Sequence, residues 1–180
     1  METSILISGF GGQGVLFAGQ LLAYAGMDAG KHVTWIPSYG PEMRGGTAHC
    51  IVIISDDAIG APVVARPDIA VALNIPSFNK YEPLVKPGGL LVVNSSLVAA
   101  ESTRDDITVV RVPANAVAEE YGTAKMMNMA AVGALLAGRP VLPLEVVEAA
   151  LADHLPASKR HLLDANYKVL RRAAQVVVPA

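Results

Sequence analysis

A glycine-rich segment near the amino terminus has the residue types and spacing of an anion-binding turn. Residues 9–14, GFGGQG, match the pattern G-x-G-x-x-G between a short apolar run and a long helix-forming stretch. Glycines at these positions allow a tight turn and a close backbone approach, and the start of the helix offers free N–H groups to a phosphate. We therefore take Gly11, Gly12, Gln13 and Gly14 as candidate ligand-binding residues.

The same segment lacks one component of a dinucleotide site. Dinucleotide-binding folds place an Asp or Glu about 20 residues after the glycines, where it binds the ribose. The second predicted strand ends here in Trp35-Ile36-Pro37-Ser38, without an acidic residue. NAD and FAD are therefore disfavoured. Three interpretations stay open: helix–sheet packing alone, another phosphate-bearing ligand, or contact with the backbone of a partner protein.

A second candidate is the loop at residues 37–47, in which Glu42 and Arg44 stand among glycines and prolines. The guanidinium of Arg presents a planar fork that suits carboxylates and phosphates. A solvated surface pair is the ordinary interpretation, whereas charges held in a Gly/Pro-rich loop favour a function. If this loop and the glycine turn follow adjacent parallel strands, both lie at the ligand-binding edge of the sheet. We therefore expect Glu42 and Arg44 to lie close to the turn.

No combination of side chains in the sequence completes a catalytic or metal site. The four histidines have no metal-ligand spacing, and no serine stands in the G-x-S-x-G pattern of a nucleophile elbow. The single cysteine, Cys50, excludes an internal disulfide and an iron–sulfur cluster carried by this chain alone. Its apolar neighbours predict a buried thiol. The methionines that flank Asn128 predict core or interface packing rather than a site.

Alternating apolar segments predict the framework that positions these loops. Strands are expected at residues 4–8, 33–36, 47–55, 69–74, 90–94 and 108–112. Helices are expected at residues 15–27, from Pro76, and at residues 115–121, 124–136, 144–154 and 158–177. This order predicts a single three-layer α/β/α domain over residues 1–180, with a mostly parallel sheet and a helical C-terminal part. The connection at residues 37–46 is too short for a helical crossover, so the sheet is expected to be mixed.

Composition limits the classes of partner. The chain is 52% apolar and 17% charged, with a net charge of −2, so no basic surface predicts nucleic acid. No apolar run approaches the roughly 20 residues that span a bilayer, and the start lacks the basic region of a signal peptide. We therefore expect a cytoplasmic protein without a membrane segment. Its apolar character predicts that other subunits cover part of its surface.

Three segments, in this order, resemble the gamma subunit family of 2-oxoacid:ferredoxin oxidoreductases. They are residues 9–15 (GFGGQGV), 37–47 (PSYGPEMRGGT) and 86–89 (KPGG), and their spacing matches along almost the whole chain. The segment 37–47 is far more specific than the glycine turn. With Tyr39 and Met43 beside Glu42, it most resembles subunits of 2-oxoglutarate enzymes.

The resemblance implies a non-autonomous subunit of an oxidoreductase that decarboxylates a 2-oxoacid to an acyl-CoA and passes two electrons to ferredoxin. Thiamine diphosphate, Mg and iron–sulfur clusters are then expected in alpha, beta and ferredoxin-like delta subunits, and none is expected on this chain alone. CoA is expected at an interface, with the Gly11–Gly14 turn and the Glu42/Arg44 loop helping to form its site. The alternative is a free-standing nucleotide- or phosphate-binding α/β module.

Overall fold

The structure, a computed structural model, describes residues 1–38 and 47–179, and the strands of these residues form one sheet. The sheet order is β2-β3-β1-β4-β5-β6-β7. The strands are β1 (Glu2–Phe10), β2 (His32–Ser38), β3 (Thr47–Ser55), β4 (Ile69–Ala72), β5 (Leu90–Asn94), β6 (Thr108–Val112) and β7 (Val178–Pro179). The predicted α/β framework is confirmed.

The sheet is mixed, as the short second connection predicts. Strands β1, β4, β5 and β6 run parallel to one another, whereas β3 pairs antiparallel with both β1 and β2. The two-residue strand β7 pairs antiparallel with β6. Our expectation that the first two strands are adjacent is wrong, because β3 lies between them. The carboxyl ends of β1 and β2 therefore share one edge of the sheet but stand two strand spacings apart, about 10 Å.

Helices cover the two faces of the sheet unequally. One face packs against α1, α3, α4, α5 and α6, and the opposite face packs against α2 and a short 3-10 turn. The helices are α1 (Val15–Asp28), α2 (Ile75–Tyr81), α3 (Ala114–Glu119), α4 (Met127–Gly138), α5 (Leu144–His154) and α6 (Leu163–Val176). The predicted three layers and helical C-terminal part are both present.

Two helices are buried on more than one side, which explains their apolar sequences. Helix α1 lies on β1, β2 and β3 and also contacts α4 and α5. In α4, ten consecutive residues from Met127 to Leu136 are buried. A helix that is apolar all round belongs inside a core. The prediction that α1 is covered on several sides is therefore confirmed.

Several predicted boundaries shift for local reasons. Strand β4 ends at Ala72 rather than at residue 74, because the Asn74 side chain accepts a hydrogen bond from Ser77 N and so caps α2. The predicted helices at residues 124–136 and 158–177 each begin as a 3-10 turn before the α-helix starts. Strand β7 is too short to give a periodic signal, and the sequence does not predict it.

The crossing of α4 and α6 depends on a glycine. A Cβ at Gly133 would overlap the backbone carbonyl oxygen of Leu170 and lie 3.2 Å from the Cβ of Ala173. A backbone atom in a packed helix cannot move aside as a flexible side chain can. The absence of a side chain at Gly133 therefore sets how closely the two helices approach.

We predict that Gly133→Ala destabilises the domain by about 1–3 kcal/mol, the usual cost of overpacking. This loss is expected although alanine favours a helix by about 1 kcal/mol over glycine. Urea unfolding followed by circular dichroism measures the change. Gly60→Ala is the matched control, because a Cβ there meets open space. An unchanged unfolding free energy for Gly133→Ala would show that α4 and α6 are not in close contact.

Candidate anion-binding site

The glycine turn lies at the point where the sheet changes direction. Strands β1 and β4 are adjacent and parallel, but α1 leaves β1 toward one face of the sheet and α2 leaves β4 toward the other. The carboxyl ends of two such strands form a crevice, and ligands of open α/β sheets bind there. The residues between Phe10 and Val15 line one side of this crevice, and Asn74 lies on the other.

The turn exposes backbone donors. Gly12 and Gly14 have φ angles of 94° and 74°, which L-residues with a side chain rarely adopt. Gln13 N donates to the Phe10 carbonyl at 3.1 Å, whereas the N–H groups of Gly11, Gly12 and Gly14 have no acceptor among the described residues. Gly11 and Gly12 are exposed. The turn therefore offers several N–H groups to a ligand.

The side chain of Gln13 stabilises the turn through hydrogen bonds. It is 9% exposed, and its Oε1 accepts from Phe10 N at 2.7 Å and from Asn74 Nδ2 at 3.3 Å. The first hydrogen bond closes the turn, and the second crosses the crevice to the start of α2. Its Nε2 has no partner among the described residues, so it is one more donor at the turn. A Cβ at Gly9 would lie 2.5 Å from Gln13 Oε1, which explains the first glycine of the motif.

A network of buried amides continues along the carboxyl ends of the strands. Asn94, at the end of β5, donates to the Leu73 carbonyl at 3.3 Å and to Asn115 Oδ1 at 2.9 Å. Its Oδ1 accepts from the backbone N–H groups of Ser96 and Ala114, each at 3.2 Å. The network therefore ties β4 and β5 to the start of α3 without a net charge.

On the other side of the turn, Asn128 Nδ2 donates to the Gly14 carbonyl at 3.2 Å. The residue is 6% exposed and stands at the start of α4. The sequence predicts the neighbouring methionines as core, and their burial confirms it. It gave no reason to single out Asn128 or Asn94, because a lone Asn in an apolar run has no spacing signal.

The arrangement is suited to an anion. The first turn of α1 carries no acidic residue, and the helix N-terminus adds a partial positive charge. Preorganised N–H groups can bind a phosphate without a cationic side chain. The geometry contains no nucleophile–base pair among the described residues.

The second predicted site lies outside the described residues. Glu42 and Arg44 belong to residues 39–46, of which the structure gives no description. The loop begins after Ser38 and ends before Thr47, and Ser38 pairs with His49, which pairs with Ser8 of β1. The strand ends that flank it, at Ser38 and Thr47, lie at the same edge of the sheet as the glycine turn, and Thr47 pairs directly with Phe10, the last residue of β1.

His49 is a polar residue near this edge that the sequence did not single out. Its ring lies 5.7 Å from the Tyr81 ring at a tilt of 50°. Partial burial and the nearby Lys80 ammonium lower the pKa of His49 below its ordinary value. The imidazole is therefore neutral at neutral pH, and it offers one donor and one acceptor.

Two further findings concern the described residues only. No group of three His, Cys, Asp or Glu side chains in the part of the chain described lies close enough together to hold a metal ion. None of the helices described has both the length and the apolar composition to cross a bilayer.

Comparison with protein families matches residues 4–176 to the pyruvate ferredoxin/flavodoxin oxidoreductase family. The ketoisovalerate oxidoreductase subunit VorA of Methanothermobacter marburgensis is 38% identical over 96% of this chain and 36% of its own length. The chain thus spans about a third of the length of that relative. The 2-oxoglutarate synthase subunit KorC of Methanocaldococcus jannaschii is 36% identical over 87% of this chain and 85% of its own length.

Two solved structures share the fold. The gamma subunit of a keto/oxoacid ferredoxin oxidoreductase from Geobacter sulfurreducens has a TM-score of 0.83 and 30% identity, and the match covers 97% of each chain. A 2-oxoglutarate:ferredoxin oxidoreductase from Magnetococcus marinus, with 2-oxoglutarate, coenzyme A and succinyl-CoA bound, has a TM-score of 0.85. The match covers 99% of this chain and 32% of that one, at 22% identity, and so shows the fold alone.

We predict that the Cys50 thiol does not react in the folded chain. Burial raises its pKa to about 12, so the reactive thiolate is scarce at neutral pH. Ellman's reagent at pH 8 should modify no thiol in the native chain and one thiol per chain in urea, because Cys50 is the only cysteine. Rapid modification without urea would place Cys50 at an accessible site.

Proposed function

We propose that this chain, which belongs to the pyruvate ferredoxin/flavodoxin oxidoreductase family, is the gamma component of a 2-oxoacid:ferredoxin oxidoreductase. It acts with partner subunits that decarboxylate the 2-oxoacid, form an acyl-CoA and pass electrons to ferredoxin. Its own part in this reaction is to bind and orient CoA. The whole reaction requires those partners, so we expect no turnover by the chain alone.

The observation that carries the proposal is a set of N–H groups at the crevice between β1 and β4. The N–H groups of Gly11, Gly12 and Gly14 and the Gln13 Nε2 face no acceptor among the described residues. CoA carries phosphates that such donors bind well. Two observations support the choice of CoA: the resemblance of the turn and loop to the gamma family, and the CoA bound in the structure of similar fold from M. marinus.

The described residues do not fit the redox cofactors of the reaction. An iron–sulfur cluster needs several thiolates, and Cys50 is the only cysteine and is buried. We therefore assign the clusters, thiamine diphosphate and Mg to alpha, beta and ferredoxin-like delta subunits. The thiamine cofactor supplies carbanion chemistry there when it is bound. In this proposal the backbone N–H groups of the turn and the Gln13 amide bind the phosphates of CoA and orient it.

Partner subunits are expected at the carboxyl edge of the sheet. Ile75 and Leu97 follow β4 and β5 there and are 47% and 42% exposed. We propose that a partner subunit covers these two side chains together with the crevice. A partner that covers this edge would close the crevice over CoA and strengthen the N–H contacts by lowering the local dielectric constant.

We propose 2-oxoglutarate as the 2-oxoacid. The segment 37–47 resembles the version found in 2-oxoglutarate enzymes, and KorC is 36% identical over most of its length. VorA supports 2-oxoisovalerate instead. Turnover of the assembled complex with viologen dye, measured for 2-oxoglutarate, 2-oxoisovalerate, pyruvate and indolepyruvate, decides between them. The highest kcat/KM for any acid other than 2-oxoglutarate would reject this assignment.

We predict that Gln13→Glu raises the KM for CoA at least tenfold with little change in kcat. The carboxylate keeps the size of the amide and both acceptor contacts, but it places a negative charge beside the bound phosphate. A tenfold rise corresponds to about 1.4 kcal/mol. The repulsion between two like charges about 4 Å apart near a protein surface is larger, about 4 kcal/mol. The measurement is the CoA dependence of turnover by the assembled complex at pH 8.

Gln20→Glu is the control for Gln13→Glu. It adds the same charge one to two turns further along α1, where Gln20 donates to the Tyr24 hydroxyl at 3.2 Å. Its KM for CoA should equal that of the wild type. If Gln13→Glu also leaves the KM unchanged, the turn serves helix–sheet packing only, and the CoA assignment fails.

We further propose that Arg44 meets the CoA phosphates or a carboxylate of a partner subunit. Loss of such a charge-assisted contact costs about 1.5–3 kcal/mol, so Arg44→Ala should weaken CoA use or subunit docking roughly 10- to 150-fold. CoA titration and co-purification of the subunits measure the two effects. Arg160→Ala, at an exposed position before α6, is the control. Wild-type behaviour in both assays would make Arg44 a solvated surface charge.

A further inference from the structure

We infer that Asn128 is a positioning residue for the glycine turn, which it holds through the Gly14 carbonyl without touching the ligand. The inference rests on the proposed CoA site and extends it to a residue of α4 that lies 114 positions away in sequence. Nothing in its sequence context predicts this role, because Asn128 is surrounded by methionines.

The contact controls the peptide unit at the start of α1. The Gly14 carbonyl accepts from Ala18 N at 3.0 Å, the first hydrogen bond of the helix, and from Asn128 Nδ2 at 3.2 Å. In a planar trans peptide the C=O and the following N–H point in opposite directions. The Asn128 contact therefore turns the N–H of Val15 away from α4. That N–H has no acceptor among the described residues.

The Asn128 side chain is itself held in place. Its Oδ1 accepts from Met129 N at 3.0 Å, which leaves the Nδ2 end of the amide to face Gly14. The neighbours Met127 and Met129 are buried, and α4 is enclosed by other elements of the core. The donor, Asn128 Nδ2, therefore belongs to a helix whose residues 127–136 are all buried.

Gly14 and Asn128 also fit each other sterically. A Cβ at Gly14 would overlap Asn128 Nδ2 and lie 2.7 Å from its Cγ. The amide thus occupies the space that a side chain at Gly14 would need. Together with the φ angle of 74°, this contact explains why the last position of the glycine motif is glycine.

The turn is consequently held from both faces of the sheet. Gln13 connects it to Asn74 on the α2 side, and Asn128 connects it to α4 on the side of the larger core. Asn128 is too deeply buried, at 6% exposure, to contact CoA. Its effect on affinity acts through the orientation of the backbone N–H groups.

Asn128→Leu tests the inference, because leucine keeps the side-chain volume and removes the donor. The Gly14 carbonyl keeps its hydrogen bond from Ala18 N, whereas Met129 N loses its acceptor, Asn128 Oδ1, a local cost that the Asn166 control and the kcat at saturating CoA separate from an effect on the turn. In the assembled complex we expect the dissociation constant and the KM for CoA to rise about three- to tenfold, the worth of one hydrogen bond. The kcat at saturating CoA should stay near the wild-type value. Calorimetric titration with CoA gives a readout independent of turnover.

Asn166→Leu is the matched control. Asn166 is 7% exposed, and its Nδ2 donates to the Leu162 carbonyl at 2.7 Å. Leu162 is the N-cap residue of α6, just as Gly14, which accepts from Asn128, is the N-cap residue of α1. Its loss should leave CoA affinity unchanged. If Asn128→Leu prevents assembly, the smaller Asn128→Ala removes the same donor and is measured in its place.

Three results would overturn the inference. Equal weakening by the Asn128 and Asn166 variants would show a general loss of stability. Wild-type CoA affinity in the Asn128 variant, with Gln13→Glu still impaired, would reject the positioning role and leave the CoA site standing. Wild-type affinity in both the Asn128 and Gln13 variants would reject the CoA site and the positioning role together.

Discussion

The amide oxygen of Gln13 accepts one hydrogen bond from the turn that contains it and one from Asn74 across the crevice. Those two contacts join the ends of adjacent parallel strands whose helices leave toward opposite faces of the sheet. A buried acceptor without its donors would cost about 1–3 kcal/mol, so the closed turn and the start of α2 stabilise each other. The glycines at positions 9, 12 and 14 give the backbone the space and the φ angles that this closure needs.

Other buried amides hold the same edge of the sheet in the way that Gln13 does. Asn94 and Asn128 connect the same edge of the sheet to the starts of α3 and α4, and each satisfies backbone groups where a strand or helix ends. None of these amides carries a charge, so they add no electrostatic repulsion toward an anion at the N–H groups of the turn. The large core on the α1 side supports this edge, and we propose that the catalytic chemistry of the complex lies in other subunits.

The sequence predicted the fold well where the apolar pattern was long. Strand β3 and helix α5 have the predicted ends, and the short connection at residues 37–46 correctly indicated an antiparallel strand. The sequence-based prediction failed where strands pair with partners distant in the chain. Nothing in residues 47–55 indicates that β3 inserts between β1 and β2. Of the site, the glycine motif identified the turn, but Asn74, Asn94 and Asn128 act through contacts distant in sequence. Single asparagines leave no periodic signal.

The central claim is that the turn between β1 and α1 binds the phosphates of CoA. An electron cryomicroscopy structure of the assembled complex with CoA tests it most directly. We predict phosphate oxygens at about 2.7–3.2 Å from backbone nitrogens of residues 11–15, with the Gln13–Asn74 and Asn128–Gly14 hydrogen bonds intact. CoA bound entirely by other subunits, with these nitrogens covered by a partner's backbone, would contradict the claim.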